Sequence, residues 1–497
     1  MLALLLVGCG SSTKPVELVA GAGADAGVTQ DGGPPDSGVV EDSGTADSGV
    51  AEAAPCERTL GVCAGARRAM VAGEYEPVCT ARSYGADYEA TETRCDGLDN
   101  DCDGVTDPAT WTEVTPMAWT SDENMVDSLP VEGGFLVVVS DRPGQLQVLR
   151  LDTALAVART TIIQFETGSS TTASVARLVR TSRGPALFYV VMDSTLWSSQ
   201  GRLLPLNEQG EPTTQPPGVT VFHQPASYIN AQVAASVDRD RGMVIWSSNA
   251  NFGLNSIDLL TRLVDADGQA LTEPQVLFWK DEAYGTLLSF SPRALGLKDG
   301  GFLAMAVEFG LGGSESRIRL RRYDRNLLPV GEERMLTVGH YIAAQLVMAP
   351  AAGGADSGEP MVLLREIPGP NFRIQQIQDL FDGGVPETVT TTTPGDSPAV
   401  WATMTSRGLQ VAWISMRFLP VAGLDSYFNC EGRLWGLSPS GVVTDWTPGG
   451  VSMPMHRQSD WVMMQELPGQ WMGALLMTAT GNPPEPYTLR ALRYCAP

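Results

Sequence analysis

The chain has 497 residues, with 57 Asp and Glu against 33 Lys and Arg, a formal net charge of −24. No basic stripe is present to release counterions, so nucleic acid and anionic surfaces are disfavoured as partners. No stretch supplies the ~18 to 20 consecutive apolar residues that a membrane-spanning helix requires.

The chain opens MLALLLVGCGSS, a short apolar run ending in Gly8 and Cys9. A small residue just before a cysteine, after an apolar run, fits cleavage in front of a cysteine that carries lipid. Leu6-Val7-Gly8-Cys9 resembles a bacterial lipobox, which implies a signal peptide over residues 1–8 and lipidation of Cys9. No Lys or Arg precedes the apolar run. The expectation is therefore a start codon further upstream, and an N-terminal peptide of the precursor beginning at Met1 would refute it. Gly10 after the cysteine is not the Asp that commonly retains lipoproteins at an inner membrane, so outer-membrane anchoring is expected, facing periplasm or cell surface.

Residues 10–54 contain no aromatic residue, repeat D-S-G at 36, 42 and 47, and hold a single cation, Lys14. Such a segment buries too little apolar surface to offset its ordering entropy. It reads as a disordered acidic tether of about 45 residues, with a root-mean-square span of about 35 to 40 Å.

A small cysteine-rich module is expected over residues 55–110, with Cys56, Cys63, Cys79, Cys95 and Cys102 as disulfide candidates. Its centre is ETRCDGLDNDCDGVTD, residues 92–107, where Asp96, Asp99, Asp101, Asp103 and Asp107 crowd together. Carboxylates so close repel one another unless a cation or bulk water separates them. With Asp99 as position 1 of a calcium loop, Asp101 and Asp103 fall at positions 3 and 5. Gly104 takes the sharp turn at position 6, Val105 offers its carbonyl at 7, and Asp107 stands at 9. Oxygen donors suit calcium better than zinc or copper. Thr110 occupies position 12 in place of a bidentate Glu, which predicts a weak site, with a Kd of roughly 10⁻⁴ to 10⁻³ M. The bland alternative is a solvated Gly/Asp turn held by a disulfide.

CDGLDNDCDG resembles the repeat of the MopE-type metal-binding motif of secreted and lipid-anchored bacterial proteins, and CERTLGVCAGARRAMVAGEYEPVC resembles the cysteine-spaced segment that often precedes it. The resemblance covers about residues 55–108. It implies a metal role for Asp96, Asp99, Asp101, Asp103 and Asp107, with Cys95 and Cys102 as the family's cysteine pair. Relatives carry a further cysteine near the position of Met70; without it the module holds an odd number.

Residues 111–497 exceed one ordinary core, so repeats or two domains are required. GGFLVVV at 133 is echoed by GPALFYV at 184, GMVIWS at 242 and GGFLAMAV at 300. Weaker echoes follow in EPMVLL at 359, GLQVAWI at 408 and GQWMGALL at 469. Most are followed by a second run ending in a polar turn, as in LQVLRLDTAL, LLTRLVDADGQAL, IRLRRYDRNLLP and GRLWGLSPSGVV. Third runs include EPQVLFW at 273 and EERMLTV at 332. Units of roughly 50 to 60 residues with three or four strands each predict an all-β fold, a seven-bladed β-propeller, with two β-sandwiches as the alternative. WTEVTPMAW at 111 is expected to supply the outer strand missing after LRALRYCAP, closing the ring and hiding both edges.

Nine tryptophans recur in the units, at 197, 246, 279, 401, 413, 435, 446, 461 and 471, and most read as packing between blades rather than sugar-stacking platforms. Cys430 and Cys495 allow two readings: a staple between adjacent blades, or capture of the module's odd cysteine. His223, His340 and His456 are scattered among different units, and no H-E-x-x-H, nucleophile elbow or P-loop is present. Two functions of different class follow. One is a non-catalytic envelope lipoprotein that binds calcium through the acidic loop and a protein or glycan partner through the propeller. The other is a hydrolase or lyase acting on polysaccharide from the propeller's central pocket.

Overall fold

The computed structural model describes residues 52–107, 110–117, 127–142, 144–165, 171–193, 195–196, 198–225, 231–236, 238–248, 258–278, 292–309, 316–338, 341–348, 360–366, 371–376, 387–390, 400–405, 408–419, 427–437, 443–445, 451–452, 456–467, 471–479 and 487–495. The anchor expected at Cys9 and nearly all of the expected tether lie outside them. Ala53–Pro497 forms one compact unit. It consists of the cysteine module and seven antiparallel sheets.

Each sheet is one blade. Blade one runs Asp127–Val131, Gly134–Arg142, Gln145–Leu151 and Val157–Gln164, each strand paired to the next. Blades two to six repeat this meander, beginning at Thr171, Ala231, Arg293, Tyr341 and Val400. The first strand of every blade lies against the first strands of both neighbours, and His456–Glu466 of blade seven meets Asp127–Val131 of blade one. These seven strands therefore ring the central axis. Blade seven takes its outer strand from far upstream: Thr110–Met117 pairs antiparallel with Tyr487–Cys495, Thr110 opposite Arg493 and Met117 opposite Tyr487. The closure expected from WTEVTPMAW is what the fold adopts, and it leaves neither end of the repeat as a free edge.

Burial follows position within a blade. The second strand is sandwiched by neighbouring blades on both faces, so it reads as a continuous apolar run rather than an alternation. Gly184–Asp193 is buried from Pro185 to Val191. The outermost strand keeps one face in water, and Val157–Gln164 is mostly exposed or half-buried, with only Ile163 buried. The core is accordingly a series of inter-blade clusters. Leu136, Val138 and Val148 of blade one pack with Leu178, Leu187 and Leu204 of blade two. Phe188 and Phe222 of blade two pack with Val244 and Trp246 of blade three. The Phe222 and Trp246 rings stack, with centroids 4.6 Å apart and planes 11° from parallel.

A turn motif recurs where the third strand passes to the fourth. Asp152, Asn207, Asp265 and Asp324 each accept, through one Oδ1, from the amides two and four residues on, at 2.8 to 3.0 Å. Such side chains substitute for a backbone turn acceptor. The fourth residue of each turn takes a left-handed conformation: Leu155, Gly210, Gly268 and Leu327. That residue presses on the preceding blade. A Cβ on Gly210 would stand 3.0 Å from Leu136, and one on Gly268 would stand 2.9 Å from Leu203. Leu155 packs with Leu467, Trp471 and Leu475 of blade seven, carrying the same contact across the ring closure. Polar ties join the same seams. Arg150 Nε donates to the Glu208 carbonyl at 3.0 Å, and Arg241 Nη1 to the Arg325 carbonyl at 3.0 Å.

Candidate metal centre

The cysteine module has almost no regular structure. It contains a 3₁₀ turn at Gly61–Cys63, a two-residue ribbon of Met70–Val71 with Glu74–Tyr75, and one helical turn at Ala81–Tyr84. Thr80 starts that turn by accepting from the Arg82 amide. A core this small needs covalent staples. Cys56–Cys79 and Cys63–Cys102 supply them, and the four half-cystines cluster with Tyr84 and Tyr88.

The fifth cysteine of the module leaves it. Cys95 is bonded to Cys495 in the third strand of blade seven, with Cα atoms 5.3 Å apart across 400 residues of sequence. Of the two readings open for Cys495, the blade-to-blade staple is thus replaced by capture of the module's odd cysteine. Cys430 lies in Tyr427–Leu437, and its side chain is outside the described residues. Two further contacts fasten the same edge. Trp471 Nε1 and Arg493 Nη2 both donate to the Thr93 carbonyl, at 2.7 and 2.8 Å, and the Arg493 guanidinium lies over the Trp471 ring at 4.1 Å.

Within the acidic stretch the aspartates divide into two groups. Asp96, Asp103 and Asp107 turn back to the loop's own amides. Asp96 Oδ1 accepts from Leu98, Asp103 Oδ1 from Val105, and Asp107 Oδ2 from Gly97, at 3.0, 2.8 and 2.8 Å. Asp99 and Asp101 also accept from loop amides, Asp101 Oδ1 from Asp103 at 3.3 Å, but they in addition approach Glu92. Carboxylate oxygens of Glu92, Asp99 and Asp101 all lie within 4.8 Å of one another. Asp99 is buried, its two oxygens accepting from the Asp103 and Gly104 amides at 3.1 and 3.0 Å. Glu92 is 8% exposed; its Oε2 accepts from Asn100 N at 2.9 Å, while Oε1 has no partner. Burial, with Asp107, Asp101 and Glu89 adding repulsion, holds the Glu92 carboxyl above the usual carboxylate range.

This grouping differs from an evenly spaced calcium loop. Asp96 and Asp103 stand outside it, Asp107 falls in a second grouping while still repelling Glu92, and position 12 enters the outer strand of blade seven. Asp99 and Asp101 remain, joined by Glu92, which spacing alone does not reveal because it precedes Asp96 by four residues. The chain doubles back between them, Glu89 N donating to the Asn100 carbonyl at 2.9 Å. A second grouping, Asp107 with Cys95 and Cys495, offers no thiolate because both sulfurs are in the disulfide. The Glu92 set is oxygen-only, which fits a hard cation such as calcium rather than zinc.

A second polar cluster lies on the strands that ring the axis. Asp127 of blade one, Arg177 of blade two, Gln232 of blade three and Arg293 of blade four all stand on first strands. Asp127 Oδ2 accepts from Leu178 N at 2.8 Å, and Arg177 Nε donates to Gln232 Oε1 at 3.2 Å. Desolvation pushes the Asp127 carboxyl up, against the pull of Arg177 and Arg293. Of the recurring tryptophans, Trp246 and Trp471 are buried between blades, in agreement with the packing reading. The other seven side chains lie outside the described residues. His223 is exposed on the outer strand of blade two, and the side chains of His340 and His456 are outside the described set.

No protein-family model and no curated protein matches the chain. Among solved structures, the chain is similar to the α-L-arabinofuranosidase Arb93A from Fusarium graminearum, at 11% identity and a TM-score of 0.42, over 65% of this chain and 96% of that one. It is similar to the polysaccharide lyase Uly1, at 8% identity and a TM-score of 0.44, over 74% and 90% of the two chains. It is also similar to the β-propeller domain of the Trilobed protease from Pyrococcus furiosus, at 9% identity and a TM-score of 0.39, over 75% and 97%. At such identity the likeness carries no activity with it.

Proposed function

We propose that the chain is a non-catalytic envelope lipoprotein, tethered through Cys9, whose cysteine module binds calcium while its propeller presents a face to a protein or glycan partner. The observation that carries this reading is the convergence of buried carboxylate oxygens in a module bolted to the propeller by Cys95–Cys495. An all-oxygen cluster of like charges with no cation beside it is strongly disfavoured, and a divalent ion removes that repulsion. The module's rigid attachment makes it a structural part of the propeller rather than a pendant domain. Calorimetric titration of the full chain with calcium is the test. Binding in the micromolar to millimolar range is expected, and no heat at millimolar calcium would remove the metal from the reading.

Asp127 favours a second reading, a polysaccharide hydrolase or lyase working from the central channel. A carboxyl pushed above its usual range by burial, on a strand that rings the axis, is suited to general-acid work. On this reading Asp127→Asn lowers turnover of an arabinan or uronate-containing polysaccharide by about 10²-fold or more. Unchanged activity in the variant, or no activity of the parent chain on a polysaccharide panel, would count against it.

A further inference from the structure

Calcium loops defined by alternating aspartates draw their ligands from within the loop. Here the buried oxygens do not follow that rule. Glu92, outside the alternating set, is more than nine-tenths buried, and its Oε1 has no hydrogen-bond partner. Fully buried Asn100 likewise has an Oδ1 without a partner, although its Nδ2 donates to the Asp87 carbonyl at 2.7 Å. A desolvated carboxylate oxygen is retained where something of opposite charge completes it.

The nearby cations are engaged elsewhere. Arg493, close enough to feel the charge of Glu92, is held between the Thr93 carbonyl and the Trp471 ring. Arg94 pairs with Glu89 at 2.9 Å, and Arg58 reaches the backbone carbonyl of Asp101 rather than its carboxylate. The three carboxylates are thus left facing one another, with no lysine or arginine bonded to any of them in the described contacts.

We propose that the cation is held by Glu92, Asp99 and Asp101, with Asp103 serving only to fold the loop around them. The inference rests on the reading that the module binds a cation, and it assigns the donors. Each of the three retains a lone pair for a metal after its hydrogen bonds are counted, since a carboxylate oxygen accepts more than once. The ion is a hard divalent cation of calcium size, because an incomplete set of carboxylates with room for water suits calcium better than a rigid octahedral ion. Glu92 also ties the site to the propeller, since the next residue, Thr93, offers the carbonyl gripped by Trp471 and Arg493.

The test is calcium titration of the full chain beside Glu92→Gln and Asp103→Asn, with the three disulfides verified by non-reducing peptide mapping. The expected result is at least tenfold weaker binding in Glu92→Gln and less than threefold change in Asp103→Asn, whose amide oxygen can still accept from Val105. Undiminished affinity in a correctly bridged Glu92→Gln, or lost binding in Asp103→Asn, would overturn this donor set while leaving a calcium-binding module intact. Absence of binding in the parent chain would instead overturn the calcium reading itself, and this inference with it. Should Glu92→Gln fail to form its bridges, Asp103→Asn decides: retained binding supports the assignment and lost binding refutes it.

Discussion

The double variant Cys95→Ser/Cys495→Ser is expected to lose about 2–5 kcal/mol of stability, read as a lowered urea midpoint with an increased m-value. The bridge joins residues 400 apart in sequence, so it removes from the unfolded chain a very large set of conformations. Its loss should increase the surface exposed on unfolding, which is why slope and midpoint both move. The folded state should change less, because Trp471 and Arg493 still hold the Thr93 carbonyl and Thr110–Met117 still pairs with Tyr487–Cys495. Replacing both cysteines avoids leaving a thiol to pair wrongly. A variant with the parent midpoint and slope would show that the closing strand needs no covalent clasp.

Trp246→Ala is expected to cost about 3–5 kcal/mol, from the lost transfer energy of a large ring and the cavity it leaves. Trp246 has no exposed surface, stacks on Phe222, and sits with Phe188, Val233 and Val244 in the seam between blades two and three. A propeller has no single core to share the damage, so loosening one seam weakens a ring that depends on every seam. Trp246→Phe should cost much less, about 1–2 kcal/mol. The indole Nε1 is buried without a partner, so no hydrogen bond is lost with it. Leu196→Ala, at a residue 72% exposed, is the control. Thermal unfolding of the three variants checks the ranking, and a Trp246→Ala midpoint equal to the control would refute the seam argument.

The parts of the fold legible in the sequence are those where burial forces an unmistakable pattern. All seven apolar echoes, from GGFLVVV to GQWMGALL, are the second strands of their blades, a position buried on both faces where its side chains are described and therefore written as an unbroken apolar run. The first strands went unread because they line the axis with mixed residues. Arg293–Gly296 and Ala231–Ala235 are four or five residues long and have no strong period. A sharper repeat signal was available in D-T-A-L, N-E-Q-G, D-A-D-G and D-R-N-L, where an Asx acceptor precedes a left-handed residue by three positions. It is easily missed because Leu and Gly share no chemistry beyond tolerating that backbone here. In the acidic stretch, alternate spacing marks Asp99 and Asp101 but does not show that the aspartates accept from the loop's own amides. Glu92 enters through a reversal of the chain, which no linear spacing encodes.

The strand that completes blade seven is synthesised before any other strand of the propeller, and its partner Tyr487–Cys495 nearly four hundred residues later. In the growing chain Thr110–Met117 must therefore emerge and wait, a β-segment with nothing to pair against, while six blades assemble behind it. Cys95 waits with it as an unpartnered thiol beside four cysteines whose own pairs are already available. Correct oxidation then depends on timing. The local pairs Cys56–Cys79 and Cys63–Cys102 should close early, sparing Cys95 for the residue that arrives last. A cell slow in early disulfide formation would accumulate chains in which Cys95 is already committed, and such chains would lack the bridge between the cysteine module and blade seven.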